Sequence, residues 1–322
     1  MAKHQVYLGV DVGSVSTNLV LVDPKRLPAE SVVKKIYLRT NGAPIETLQA
    51  GLARLQSQGQ WDILGVGATG SGRELAGTII GADVVKNEIT AHAIAALLHN
   101  AQVRTVVEIG GQDSKIIVLR DGVVVDFAMN TVCAAGTGSF LDQQASRLSI
   151  PIDQFGPLAL QSKNPVRIAG RCTVFAESDM IHKQQLGHAI PDILAGLCLA
   201  MVRNYLSNVA KGKAIHPIVL FQGGVAANAG MRRALEEALE LPVEVPPYFD
   251  VMGAVGVAKL AQEHLESSGQ TTRFGGLEIA HSHFTSSSFE CPDCSNRCEI
   301  VQISRDDSPL ACWGSRCGKF SE

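Results

Sequence analysis

One short plan occurs twice in this chain and limits the folds open to it. Residues 6–23, VYLGVDVGSVSTNLVLVD, read as two β-strands around a Gly-Ser turn. Residues 105–126, TVVEIGGQDSKIIVLRDGVVVD, repeat the plan: apolar strand, acidic residue, glycine turn, apolar strand, Asp-Gly turn. Between them the pattern predicts a helix over Ile45–Gln58, a strand over Ile63–Ala68 and a helix over Glu88–Asn100. After the second hairpin it predicts helices over 138–149, 153–162, 173–186 and 191–210 and a strand over 218–224. A helix capped by Asn228, a strand over 243–247 and a closing helix over 250–265 follow.

A nucleotide site needs backbone N–H groups that can approach phosphate oxygens, and a carboxylate to hold Mg²⁺ or orient water. Asp11, Gly13, Ser14, Val15 and Ser16 offer this once. Glu108, Gly110, Gly111, Gln112 and Asp113 offer it again, with the carboxylates and Gln112 as the candidate catalytic groups. Gly223-Gly224, just past an apolar strand, is a turn that suits the flat face of an adenosine. No GxxxxGK[ST] occurs and no GxGxxG follows the first strand, which excludes a P-loop and counts against a dinucleotide fold. Singly, each turn reads sooner as a plain hairpin than as a nucleotide site. Together and in this order they resemble the phosphate-1, phosphate-2 and adenosine motifs of the actin, heat-shock chaperone and sugar-kinase superfamily. That resemblance implies an α/β fold of two ribonuclease-H-like lobes clamping ATP, with helices 88–100 and 251–265 as connecting helices. The expected division is a first lobe of 1–100 plus 251–265, a second lobe of 101–250, a Ser/Thr/Gly/His-rich linker over 266–290, and a small Cys-rich extension over 291–322.

With 322 residues and 46% hydrophobic content, the chain can bury two such cores. A net charge of −3 without a Lys/Arg run gives no footprint for nucleic acid. No apolar run is long enough for a membrane span, and MAKHQVYLGVDVGS passes straight into a strand pattern without the marks of a signal peptide, so a cytoplasmic location is expected.

The cysteines divide into three groups. Cys198 lies in the apolar helix DILAGLCLAMVRNYL and reads as a core residue. Cys133, in NTVCAAGTGSF, and Cys172, in RCTVFAESD, each stand at a helix start, where the partial positive charge favours a thiolate. A cubane needs four thiolates. Two copies of the chain would supply them around a two-fold axis; two unrelated buried thiols is the alternative. Gly136, between Cys133 and the next helix, is a further candidate for contact with the nucleotide. Cys291, Cys294, Cys298, Cys312 and Cys317 crowd the end of the chain. C-x₂-C with a second pair downstream points to a tetrahedral metal site, zinc or iron–sulfur, with one thiol left over; free thiols remain the third reading.

EIGGQDSK, NTVCAAGTGSF and RCTVFAESD, in that order, resemble the activator components of 2-hydroxyacyl-CoA dehydratases and the ATP-dependent activators of benzoyl-CoA reductases, over about residues 5–265. The resemblance implies a homodimer whose Cys133 and Cys172 hold one shared [4Fe–4S] cluster. It also implies ATP and Mg²⁺ as cofactors, and hydrolysis coupled to transfer of one low-potential electron to a partner iron–sulfur protein. Ferredoxin or flavodoxin would be the donor, in an anaerobic cell. The Cys-rich tail departs from the shortest members. The alternative function is a small-molecule kinase of the sugar type, built on the same ATPase fold.

Overall fold

The computed structural model describes residues 4–130 and 136–320. It divides into two units, Met1–Lys25 with Val32–Asn87 and Val257–Glu322, and Arg26–Ser31 with Glu88–Gly256.

In the first unit, His4–Val12 (β1) and Ser16–Val22 (β2) pair antiparallel, with Asp11 opposite Asn18. Val32–Arg39 (β3) extends the sheet beyond β2. Pro44–Ser57 (α1) then lays Leu48, Leu52 and Leu55 on the sheet, one helical turn apart. Gly51 makes that contact possible, because a Cβ there would stand 2.4 Å from Leu19 Cδ1. Trp61–Thr69 (β4) returns parallel to β1, Arg73–Ile80 (α2) follows, and Val84–Val85 (β5) closes the strand order β3-β2-β1-β4-β5.

The second unit begins with Glu88–His99 (α3) and repeats the design. Thr105–Ile109 (β6), Ser114–Arg120 (β7) and Val123–Asn130 (β8) run antiparallel in turn. Gly138–Arg147 (α4), Ile152–Ala159 (α5), Thr173–Gln185 (α6) and Ile190–Asn208 (α7) follow. Val219–Gln222 (β9) then pairs parallel to β6, Ala229–Leu239 (α8) starts on an Asn228 cap, and Val243–Glu244 (β10) is the outer strand. The order β8-β7-β6-β9-β10 matches the first sheet strand for strand, so the repeated hairpin in the sequence is the visible part of a repeated sheet. Ile193, Leu194, Leu197, Met201 and Tyr205 of α7 fill the core against Phe221 of β9.

Three boundaries differ from the sequence expectation. Helix α3 groups with the second unit, not the first. Met252–Ser268 (α9) begins in the second unit and enters the first at Val257. Residues 266–290 are not a bare linker: Thr272 and Arg273 bind the Asp83 carboxylate, Ile279 is buried in the first core, and Gln49 Nε2 donates to the carbonyls of Ile279, Ala280 and Ser282. Their Ser- and Thr-rich stretch forms Phe284–Glu290 (β11), because hydroxyl residues tolerate a half-exposed strand as well as a loop. Glu299–Arg305 (β12) and Ser308–Trp313 (β13) complete a separate three-stranded antiparallel sheet. Among the described residues no helix is long and apolar enough to cross a membrane.

Candidate nucleotide and cluster sites

In the second unit the turn between β6 and β7 is closed by Gly110 N–H donating to Asp113 O at 3.0 Å. The register puts Lys115 opposite Glu108. Lys115 is only 1% exposed, yet its Nζ reaches Glu108 Oε2 at 2.9 Å, Asp113 Oδ2 at 2.8 Å and Glu88 Oε2 at 2.9 Å. Burial alone would strip its proton, but the three carboxylates outweigh burial and hold it charged. Burial pushes the Glu108 carboxyl up, with Lys115 opposing. Three carboxylates thus converge on one ammonium, which leaves the turn with a negative excess.

The third glycine motif meets the second here. Gly223 has φ +88°, and a Cβ on it would stand 2.4 Å from Ile109 O and 2.6 Å from Glu108 Oε1. A Cβ on Gly110 would stand 2.9 Å from Asp113 Oδ1. Only glycine fits between these backbones and the Glu108 carboxylate. Gly224 opens a 3-10 turn, Gly224–Ala227. Gln222, opposite Glu108 on the neighbouring strand, bonds the buried His92 Nδ1 at 2.9 Å. Burial, helped by Lys115, lowers the His92 pKa to about 4 despite Glu88 and Asp113, so the ring is neutral.

The same turn holds the start of α4. Gly138 N–H donates to Gly110 O at 2.8 Å, and Ser139 gives both its N–H, at 2.8 Å, and its hydroxyl, at 2.6 Å, to Gly111 O. A Cβ on Gly138 would stand 3.1 Å from Gly110 O. Just upstream, Gly136 lies against Asn204 of α7, where a Cβ would stand 3.1 Å from Asn204 Oδ1. The other end of that amide donates to Gly170 O at 2.6 Å. Asn204 thus holds the loop just before Cys172 through Nδ2, while its buried Oδ1, which has no hydrogen-bond partner among the described residues, faces Gly136. Glu177 on α6 pairs with Arg147 at 2.7 Å and accepts from Gln143 at 3.2 Å, lacing α6 to α4. Asp179 accepts from Ala169 N–H at 2.8 Å. Both acids thus hold structure. Cys172 is the N-cap residue of α6, half-buried and free, and Val174 and Phe175 beside it are 66% and 65% exposed. Cys133 lies outside the described residues. A half-buried thiol at a helix start fits a thiolate-ligated cluster.

In the first unit Gly13 N–H donates to Ser16 O at 2.8 Å, closing the turn of Gly13, Ser14, Val15 and Ser16. Thr40 braces it, with its hydroxyl donating to Gly13 O at 3.0 Å and its N–H to Val15 O at 2.9 Å. Asp11 pairs in register with Thr69 of β4, and Gly70, at φ +93°, is where a Cβ would stand 2.5 Å from Asp11 Oδ1. Gly72 N–H then donates to Val12 O at 2.8 Å as α2 begins.

The remaining cysteines behave differently from one another. Cys198 is 1% exposed and burial pushes its thiol up to about 12, as a core residue requires. In the tail, Cys291 is buried, Cys298 and Cys312 are half-buried, and Cys294 and Cys317 are exposed, all as free thiols. Among the described residues, no three His, Cys, Asp or Glu side chains are gathered tightly enough to hold a metal.

Sequence reasoning missed Glu88, Lys115, His92, Gln222, Asn204 and the Gly70–Gly72 turn. Lys115 carried a signal: a lysine inside the apolar run SKIIVLR must be paired if the strand is central. Thr-Gly-Ser-Gly between strand and helix was a fourth glycine turn in plain view. Nothing local marks Asn204, whose role depends on two distant loops.

Two sheets of one strand order, with antiparallel hairpins and glycine turns, make this an α/β protein of the actin and sugar-kinase type. At the level of fold alone it is similar to the ethanolamine utilization protein EutJ from Carboxydothermus hydrogenoformans, at a TM-score of 0.53 and 17% identity over 79% of this chain and 89% of that one. The chain belongs to the BadF/BadG/BcrA/BcrD ATPase family, whose model matches residues 8–261. It is 36% identical, over 79% of its length and 96% of the relative's, to the (R)-2-hydroxyglutaryl-CoA dehydratase activating ATPase of Acidaminococcus fermentans. A solved structure, the activator of the 2-hydroxyisocaproyl-CoA dehydratase from Clostridium difficile with bound ADPNP, is similar at a TM-score of 0.73 and 31% identity, over 82% of this chain and 97% of that one.

Proposed function

We propose that this chain is an ATP-dependent activator that couples ATP hydrolysis to delivery of one low-potential electron to a partner iron–sulfur protein of the dehydratase or reductase type. Ferredoxin or flavodoxin is the donor. The observation that carries the reading is the set of hydrogen bonds from Gly138 and Ser139 to the Gly110 and Gly111 carbonyls, which joins a phosphate turn to the helix following Cys133. The names and sequences of the relatives support the same reading.

In the second unit, the N–H groups of Gly111 and Gln112 receive phosphate oxygens, Glu108 or Asp113 orients the attacking water and the other holds Mg²⁺, and Gly223 and Gly224 admit the adenosine. In the first unit, Gly13, Ser14, Val15 and Ser16 present their N–H and hydroxyl groups to phosphate, and Asp11 supplies a second carboxylate. Cys133 and Cys172 of each of two subunits ligate one shared [4Fe–4S] cluster, which when bound supplies one-electron redox chemistry. Val174 and Phe175, exposed beside Cys172, suit a surface covered by the second subunit. Glu177 laces α6, which starts at Cys172, to the second half of α4, the helix that follows Cys133.

Anaerobic purification with iron, sulfide and subunit analysis tests this. The expected product is a brown, oxygen-bleached dimer with about four irons per two chains, colourless as Cys133→Ala. The EPR signal of the reduced protein should change on adding ATP. A colourless monomer that phosphorylates a sugar would replace the activator by a kinase.

A further inference from the structure

The tail thiols are the part of the chain that the activator reading does not use. We propose that Cys291, Cys294, Cys298 and Cys317 form a closed four-thiolate zinc site that staples the C-terminal sheet, with Cys312 outside it. This is independent of the body cluster.

The hairpin β11–β12 ends on the pair Glu290–Glu299, so Cys291 and Cys298 are the next rung at its mouth. Cys291 N–H donates to Cys298 O at 2.8 Å, which sets the two residues side by side. The short loop between them carries Cys294, whose carbonyl accepts from Arg297 N–H at 3.2 Å. Three of the five cysteines thus share one end of the sheet.

The choice of the fourth follows from register. Cys312 pairs with Gln302 inside the sheet, three rungs from Glu299 and hence about 10 Å from the mouth at the usual rise of a strand. A zinc–thiolate bond is about 2.3 Å, so a thiol at that distance cannot join. Cys317 is carried back to the mouth. Gly314, at φ +112°, turns the chain over the start of β12, where a Cβ would stand 2.3 Å from Glu299 O. Beyond it, Lys319 pairs with Asp293 in the loop, and the Phe320 ring packs edge-on against Phe289 at 5.6 Å between centroids.

The module has a reason to need a metal. From Phe284 onward, only Cys291, Ile300 and Ile303 are buried among the described residues, which is a small core for three strands. Among the described residues the four sulfurs do not meet at one point. Cys294 and Cys317 are exposed, so side-chain rotation brings them inward. Zinc displaces the four thiol protons and leaves a dianionic centre, beside which Lys319 supplies a compensating charge. Zinc rather than iron–sulfur suits a site whose work is to close a small sheet at the surface, where a redox cluster would stand open to oxidation.

The test uses the full chain carrying Cys133→Ser and Cys172→Ser, so that any body cluster is gone whatever its fate. Elemental analysis should find about one zinc per chain and little iron. Adding Cys317→Ser or Cys294→Ser should reduce zinc at least about tenfold, whereas Cys312→Ser should leave it unchanged. If those variants aggregate, cobalt titration of the parent and of Cys312→Ser decides, because the charge-transfer band of four thiolates should be equal in both. Absence of bound metal, iron in place of zinc, zinc retained without Cys317, or a cobalt band weakened by Cys312→Ser would each overturn the assignment.

Discussion

Glu88 Oε2 and Lys115 Nζ stand 2.9 Å apart, pinning the first turn of α3 to a central strand of the second sheet. Glu108 and Asp113 complete the shell around the same ammonium. Removing Lys115 strands three acids in a poorly solvated place. Lys115→Met should destabilise the protein by about 3–5 kcal/mol, as for other buried pairs cut on one side. Glu88→Gln should cost less, since two partners remain. Urea midpoints for the two variants check the order; a Lys115→Met protein as stable as the parent would contradict it.

Glu108 and Asp113 compete for the role of water-orienting carboxylate. Glu108 is buried against Gly223, whereas Asp113 is the more exposed. We expect Glu108→Gln to lower ATPase turnover on the order of 10²–10⁴-fold while nucleotide affinity changes little, because a positioned base acts on the reacting water. Asp113→Asn should weaken Mg²⁺-dependent binding instead. Turnover and nucleotide affinity measured on both variants assign the roles.

His92 gives a pH signature. Its folded pKa, about 4, lies below the ordinary value of 6.5. Between those values the unfolded chain binds a proton that the folded chain refuses, so stability rises with pH across about 4 to 6.5 and is flat above, a change of about 3 kcal/mol at most. His92→Gln should flatten that slope in denaturation curves taken across the window. A slope unchanged by the substitution would place its origin elsewhere.

At Gly223 the backbone is left-handed and the space for a methyl is already taken. Gly223→Ala should cost about 1–3 kcal/mol and reduce ATPase activity, because the intruding carbon displaces the Glu108 carboxylate. Gly187, also at positive φ but with nothing near its Cβ position, is the control, and its alanine variant should keep full activity.

Cys172 and Cys198 are both single thiols of the second unit, in opposite settings. Cys172→Ala should abolish iron binding and dimer formation together, whereas Cys198→Ala, in the α7 core, should change only stability, by about 1 kcal/mol. Iron analysis with sedimentation on both variants separates them.

Much of this was legible because the chemistry was local. Glycine beside an acidic residue after an apolar strand marked both hairpins, and Asn228 marked the α8 cap, since each depends on neighbours in sequence. Glu88 was hidden, because its partner lies two elements further on. Strand β3 was hidden by Lys34 and Lys35 in VVKKIYLR, which break the apolar run. The Ser-rich β11 was hidden because it is an outer strand of a small sheet with little apolar surface to advertise it.

The bonds from α4 to Gly110 O and Gly111 O have one more effect. A trans peptide is planar, with its N–H opposite its C=O. Fixing those two carbonyls toward the helix therefore aims the Gly111 and Gln112 amides the other way, before any nucleotide arrives. On the proposed reading the helix is a jig for the two amides assigned to phosphate, and neither plane can swivel without letting go of the helix first.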